Sequence, residues 1–172
     1  MSIPVDGCLD IKRTDCIHPK ELEIILEEYR AICEKVNVVQ TRWLICVDAL
    51  EQQLHLLENR IPIRSYQIST AKNGVGREEG SGQTPMGLHQ VQDKIGDKAE
   101  PFAIFKSRQL TGELAVPTVG GNAIIGRILW LGGLHPQYNQ GLDGSGKCVD
   151  SHDRYIYIHG TNDIANLGQP VS

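Results

Sequence analysis

From Thr41 onward the apolar residues of this chain stop recurring at three- and four-residue steps. They gather instead into short runs separated by glycine, proline and polar clusters. Apolar runs of that length read as strands, and the punctuation between them as turns. The eighteen glycines and eight prolines are concentrated from Gly74 onward, which favours many turns over long helices. With 172 residues and no internal repeat, the chain is most simply one domain, able to bury about two-thirds of its unfolded surface in one core.

One segment before Thr41 has the other periodicity. Leu22, Ile25, Leu26, Tyr29, Ile32, Cys33 and Val36 line one face of a helix predicted over Pro19–Val36. Pro19 suits the first helical position, and Glu21, Glu23, Glu27 and Glu28 favour its N-terminal half. Residues 1–18 read as an irregular arm. Residues 1–40 are thus expected to form an arm and a helix packed on a β domain of residues 41–172.

Within that domain, Arg42–Val47, Gln53–Leu57 and Ile61–Ile68 form a predicted meander, with a turn at Glu58-Asn59-Arg60. Leu88–Val91 and Ala123–Leu131 are further strands, the latter bent or bulged at Gly126. Tyr155–Ile158 is a strand delivering His159 at its end, followed by a Gly/Asn/Pro-rich loop. Between strands lie two long loops, Ser69–Gly87 and Leu134–Asp153. Long ordered loops in compact domains tend to be functional. Gly74-Val-Gly76 and Gly80-Ser-Gly82 lack the Gly-Lys-Ser/Thr and following helix of a phosphate loop, which argues against nucleotide binding.

Charge and cysteine content narrow the function classes. A net charge of -4 without any Lys/Arg run argues against a nucleic-acid surface. No stretch approaches the roughly eighteen apolar residues of a membrane span, and the first thirteen residues lack the basic-then-apolar order of a secretory signal. Five cysteines, with no C-x-x-C pair, give no zinc spacing. Cys33 and Cys46 are expected to be buried packing residues, and the set suits a reducing compartment better than a disulfide framework.

Three histidines are comparable candidates for acid/base chemistry. His55 lies in an alternating strand and is expected at the surface. His89 follows Pro85-Met-Gly-Leu and lines either a cleft or the core, the core being favoured. His159 differs because Gly160 and Thr161 leave room around the imidazole. Ser151-His152-Asp153 is no serine triad, since adjacent residues point apart on an extended chain and no G-x-S-x-G elbow is present. Turn and strand entry is the expected role of Ser151–Asp153. A metal site from His135, His152, Asp153 and His159 has no ligand spacing behind it.

Three motifs in order give the chain a family resemblance. They are Gln52-Gln-Leu-His-Leu56 with Ser65-Tyr-Gln-Ile-Ser-Thr70, then Gly80-Ser-Gly-Gln-Thr-Pro-Met-Gly87, then His159-Gly-Thr-Asn162 with Gly168-Gln-Pro-Val-Ser172. Over about Trp43 to Ser172 the chain resembles the L,D-transpeptidase catalytic domain, the YkuD-type fold of peptidoglycan-modifying enzymes. The resemblance implies a mainly β architecture, a β-sandwich of mixed sheets preceded by the amphipathic helix. It implies a cysteine nucleophile that attacks a tetrapeptide stem, expels the terminal D-alanine, and passes the acyl group to an amine or to water. His159 would be the general acid/base, and Ser172 the serine that opens the nucleophile motif. Tyr157, Gly160, Thr161, Thr84 and Pro85 would line the substrate cleft.

The resemblance implies no metal and no cofactor, peptidoglycan stem peptides as partners, and a cell-envelope or periplasmic location. The missing leader keeps a cytoplasmic one open, and the oligomeric state is left open too. Family members continue from the serine into His-Gly-Cys, which would put the cysteine three residues beyond Ser172, where none of the five cysteines lies. The expectation is therefore a chain that stops short of its nucleophile and is inactive as written. A non-catalytic stem-binding protein and an L,D-carboxypeptidase are the alternatives.

Overall fold

A computed structural model describes residues 17–171. The irregular arm apart from its last two residues, Cys8, Cys16 and Ser172 lie outside them.

The only helix longer than one turn among the described residues, α1, spans Pro19–Val36 as its periodicity predicts. His18 caps its start, Nδ1 accepting from the Lys20 backbone N–H at 3.3 Å. Asn37 closes its end in the left-handed region (φ 55°), and Val38 N–H donates to the Cys33 carbonyl at 2.9 Å. Tyr29 and Cys33 are buried, and the Tyr29 hydroxyl accepts from Thr41 N–H at 3.0 Å, tying the helix to the first strand's approach.

The predicted meander is an antiparallel sheet of β1 (Trp43–Asp48), β2 (Gln53–Glu58) and β3 (Ile61–Gln67). Asp48 Oδ1 accepts from Leu50 and Glu51 N–H and so makes the first turn. Asn59 and Arg60, at φ 49° and 67°, make the second as a two-residue hairpin loop whose handedness matches strand twist. Leu57 is fully enclosed. His55, expected at the surface, is only 4 % exposed, with Nδ1 2.8 Å from the Ser65 hydroxyl. β2 is the middle strand, and its adjacent residues Leu54 and His55 are both buried, so alternation there does not separate core from solvent.

The second sheet has β4 (His89–Ile95), β5 (Ala103–Lys106), β6 (Gln109–Leu114), β7 (Ile124–Gly133) and β8 (Tyr157–Thr161). β7 is central: Ile125 pairs with Ile104 on one edge and with Gly160 on the other. The predicted bend is present at Gly126 (φ 70°), where the β7–β8 register shifts between Ile125 and Ile128. A Cβ at Gly126 would stand 2.6 Å from the Pro101 carbonyl oxygen, so only glycine fits. Ile128, Val149, Ile125 and Phe105 form the buried centre.

Two features depart from expectation. β5 and β6 form a hairpin with no Asn-Gly signal; its loop is Ser107-Arg108, at φ 50° and 66°, and every residue of β6 is exposed. β8 begins at Tyr157 and runs through Thr161, so His159 lies within the strand rather than at its end. The turn before it consumes residues 150–155, Arg154 N–H donating to Asp150 O and Tyr155 N–H to His152 O. Among the described residues all strand ladders are antiparallel, and parallel pairing is confined to bridges at Ala71–Val171, Val75–Thr84 and Pro136–Gln140. The fold is mainly β with one preceding helix.

Candidate functional site

β8 holds His159 opposite Ile128 of β7, with its side chain exposed. Gly160 is needed beside it, because a Cβ there would meet the Ile125 carbonyl oxygen at 2.7 Å. His159 Nδ1 lies 2.9 Å from the Gly160 carbonyl oxygen. A carbonyl only accepts, so Nδ1 carries the hydrogen and the neutral ring offers its Nε2 lone pair outward. That is the tautomer a general base requires.

The segment after β8 is anchored by buried polar side chains. Asn162 Oδ1 accepts from Ala123 N–H at 3.0 Å, and its Nδ2 donates to Val116 O at 3.2 Å, fixing the loop before β7. Thr161 Oγ1 accepts from Asp163 N–H, and Asp163 Oδ2 accepts from Asn166 Nδ2 at 2.8 Å. From there the chain runs beside residues 68–72: Gly168 N–H donates to Ile68 O, Val171 N–H to Thr70 O, and Lys72 N–H to Val171 O. Thr84 joins the same place, its Oγ1 accepting from Ala71 N–H at 2.9 Å. Thr84 and the Gly168–Val171 stretch are thus neighbours of one strand-like segment, although no hydrogen bond joins Thr84 or Pro85 to His159 among the described residues.

Around Pro85–His89 the backbone is held by a buried network the sequence did not signal. Asn139, fully enclosed, donates through Nδ2 to Met86 O (3.1 Å) and Leu88 O (3.0 Å) and accepts from His135 N–H (2.9 Å). His89 Nδ1–H donates to Gly87 O at 2.9 Å, leaving Nε2 to accept from the Ser151 hydroxyl at 2.8 Å. Burial pushes the His89 pKa down, with Arg154 adding to the fall and the Gly87 bond opposing it. Ser151 has zero exposure, so this serine–histidine pair fastens two loops and offers no nucleophile. Ser151 therefore does more than enter a strand.

Tyr157, two residues before His159 and on the same face of β8, sits in an aromatic cluster. Its ring meets Trp130 edge-on at 5.5 Å, and Trp130 stacks on His152 at 4.0 Å. Arg108 lies over both Trp130 and Tyr155, 4.9 Å from each centroid, and donates from Nη1 to the Tyr157 hydroxyl at 3.2 Å. That hydrogen bond raises the Arg108 pKa further. Sequence reasoning missed Arg108, Trp130 and Asn139; only Asn162 had a signal, its place directly after His-Gly-Thr.

None of Cys33, Cys46 or Cys148 lies on β8 or the segment after it. Cys33 is buried on α1, and burial pushes the Cys46 thiol up to about 11. Among the described residues no group of histidine, cysteine and carboxylate side chains could hold a metal ion. Two open grooves of about 400 and 550 Å³ flank the C-terminal end of α1; His135 lines the larger, and neither reaches His159, Tyr157, Gly160, Thr161, Thr84 or Pro85. No described helix is long and apolar enough to cross a membrane.

Compared with known families, residues 42–172 match the profile described as the L,D-transpeptidase catalytic domain, YkuD. Comparison with curated proteins and with solved structures gave no match.

Proposed function

The chain belongs to the L,D-transpeptidase catalytic domain family, and from that premise we propose that residues 41–172 form the catalytic unit of a peptidoglycan L,D-transpeptidase, with residues 1–40 as an arm and helix packed on it. The donor is a tetrapeptide stem. A cysteine thiolate adds to the carbonyl of the third residue, the terminal D-alanine leaves as the amine, and an amine of a second stem takes the acyl group to give a 3→3 cross-link. The reaction belongs to the cell envelope. Water as acceptor would give the carboxypeptidase outcome instead.

What supports the reading is His159: exposed on a paired strand, Nδ1–H engaged by the Gly160 carbonyl, Nε2 turned outward. In this role Nε2 takes the thiol proton and returns it to the leaving amine. Gly160 and Thr161 continue the same strand, and Thr84 and Pro85 would form the opposite wall. On this reading the nucleophile is the cysteine of the family's His-Gly-Cys motif, and the 172 residues by themselves are expected to bind stems without turning them over.

The test compares the 172-residue chain with the same chain followed by Ser172's family continuation, His-Gly-Cys. On disaccharide-tetrapeptides the extended protein should form 3→3 dimers or tripeptides, and a carbapenem should add to its new cysteine by mass spectrometry. Replacing His159 with glutamine there should slow acylation by about 10²- to 10⁴-fold. An extended protein, folded as judged by its unfolding transition, that neither turns over stems nor takes the acyl label would overturn the reading.

A further inference from the structure

Arg108 occupies a position that its backbone disfavours. The hairpin loop Ser107-Arg108 has φ 50° and 66°, the left-handed region where glycine or asparagine is cheapest. The guanidinium is already immobilised, lying over the rings of Trp130 and Tyr155 and bonded through Nη1 to the Tyr157 hydroxyl. Yet that phenol is its one hydrogen-bond partner, and no carboxylate pairs with it among the described residues. An arginine carries five N–H donors in a planar fork suited to a carboxylate, so most of this fork is unused. Tyr155 is 56 % exposed, so solvent reaches the cluster.

The cluster's position gives the fork its meaning. Tyr157 and His159 share a face of β8 two residues apart, about 7 Å along the strand. A carboxylate gripped by Arg108 would therefore lie about two residue lengths along the strand from a carbonyl presented to His159.

We infer that Arg108 is a substrate-binding residue that grips a free carboxylate of the donor stem, with Trp130, Tyr155 and Tyr157 holding its guanidinium in place. The inference rests on the stem-peptide reading above. With the family's typical meso-diaminopimelate as its third residue, the stem carries two carboxylates on its last two residues: the C-terminal one and the one on the D-centre of that diamino acid. Both have the same chemistry.

Calorimetric titration of the 172-residue chain with the free tetrapeptide, and with the two peptides singly amidated at those carboxylates, separates the sources. Wild type should bind one amide about tenfold or more weakly than the acid. Arg108→Gln should bind the acid as weakly as wild type binds that amide, and should no longer distinguish the two. Lys106→Gln, which removes the same charge from a nearby exposed residue, should leave binding within about twofold. Unchanged unfolding midpoints guard against a folding defect. The inference is overturned if wild type is indifferent to both amidations, or if Arg108→Gln keeps the wild-type preference; binding of all three peptides would then still leave the stem reading standing. Failure of wild type to bind any stem would remove both.

Discussion

Asn139 offers the sharpest test of how the site is held. Its side chain makes three hydrogen bonds in a fully enclosed position: to Met86 O, to Leu88 O and from His135 N–H. Replacement by alanine does not leave all three partners stranded, since Leu88 O still accepts from Leu134 N–H at 3.0 Å. Met86 O and His135 N–H lose the one partner they have among the described residues. Each buried group left unpaired costs about 1–3 kcal/mol. Met86 is itself 49 % exposed, so water can partly replace the bond on that side. The expected loss is about 2–4 kcal/mol, toward the lower half of the simple sum. In urea this lowers the midpoint by about 1–2 M at an unchanged slope. Asn139→Asp keeps the bond from His135 N–H but aims a carboxylate at two carbonyls, and should cost at least as much. A loss below about 0.5 kcal/mol for Asn139→Ala would show that the Pro85–His89 turn is held by something other than this side chain.

Other expectations follow from the same geometry. His89 is held neutral, its folded pKa lowered chiefly by burial, so the pair's stability is complete above the unfolded value of about 6.5 and is lost as pH falls through the folded one; urea midpoints between pH 7.5 and 5 should drop more in wild type than in His89→Gln, and parallel curves would refute it. Gly160→Ala would place a Cβ 2.7 Å from the Ile125 carbonyl oxygen in a paired strand, costing about 1–3 kcal/mol by thermal or urea unfolding; a neutral result would mean β8 is not fastened to β7 at this register. Cys46, its thiol pushed up to about 11, has a thiolate fraction on the order of 0.1 % at pH 8, so iodoacetamide with peptide mapping should find it modified far more slowly than a small-molecule thiol.

Periodicity located α1 to the residue and the first sheet nearly so, because their apolar patterns are local and their stops, Asn37 and the Asn59-Arg60 loop, are local too. The β5–β6 hairpin was illegible for the converse reason. Its turn pairs two residues that usually avoid φ > 0, and its second strand has no buried face to impose alternation. His55 misled because burial of a central strand depends on what its neighbours lay across it. His159 was recognisable through its motif, but its place inside β8 followed from a turn that absorbs Tyr155.

By itself the sequence determined the class of fold, the helix, the meander and the histidine with its glycine, since each rests on spacing or on steric need within a few residues. Tertiary structure alone decided which distant groups meet: His89 with Ser151, Asn139 with Met86 and Leu88, Arg108 with Tyr157, and Thr84 with the strand-like stretch that also holds Val171. These contacts join residues that no local period links. Hydrogen bonds and ring contacts act over only a few ångströms, so they appear once folding has brought distant loops against one another and against the strands they flank.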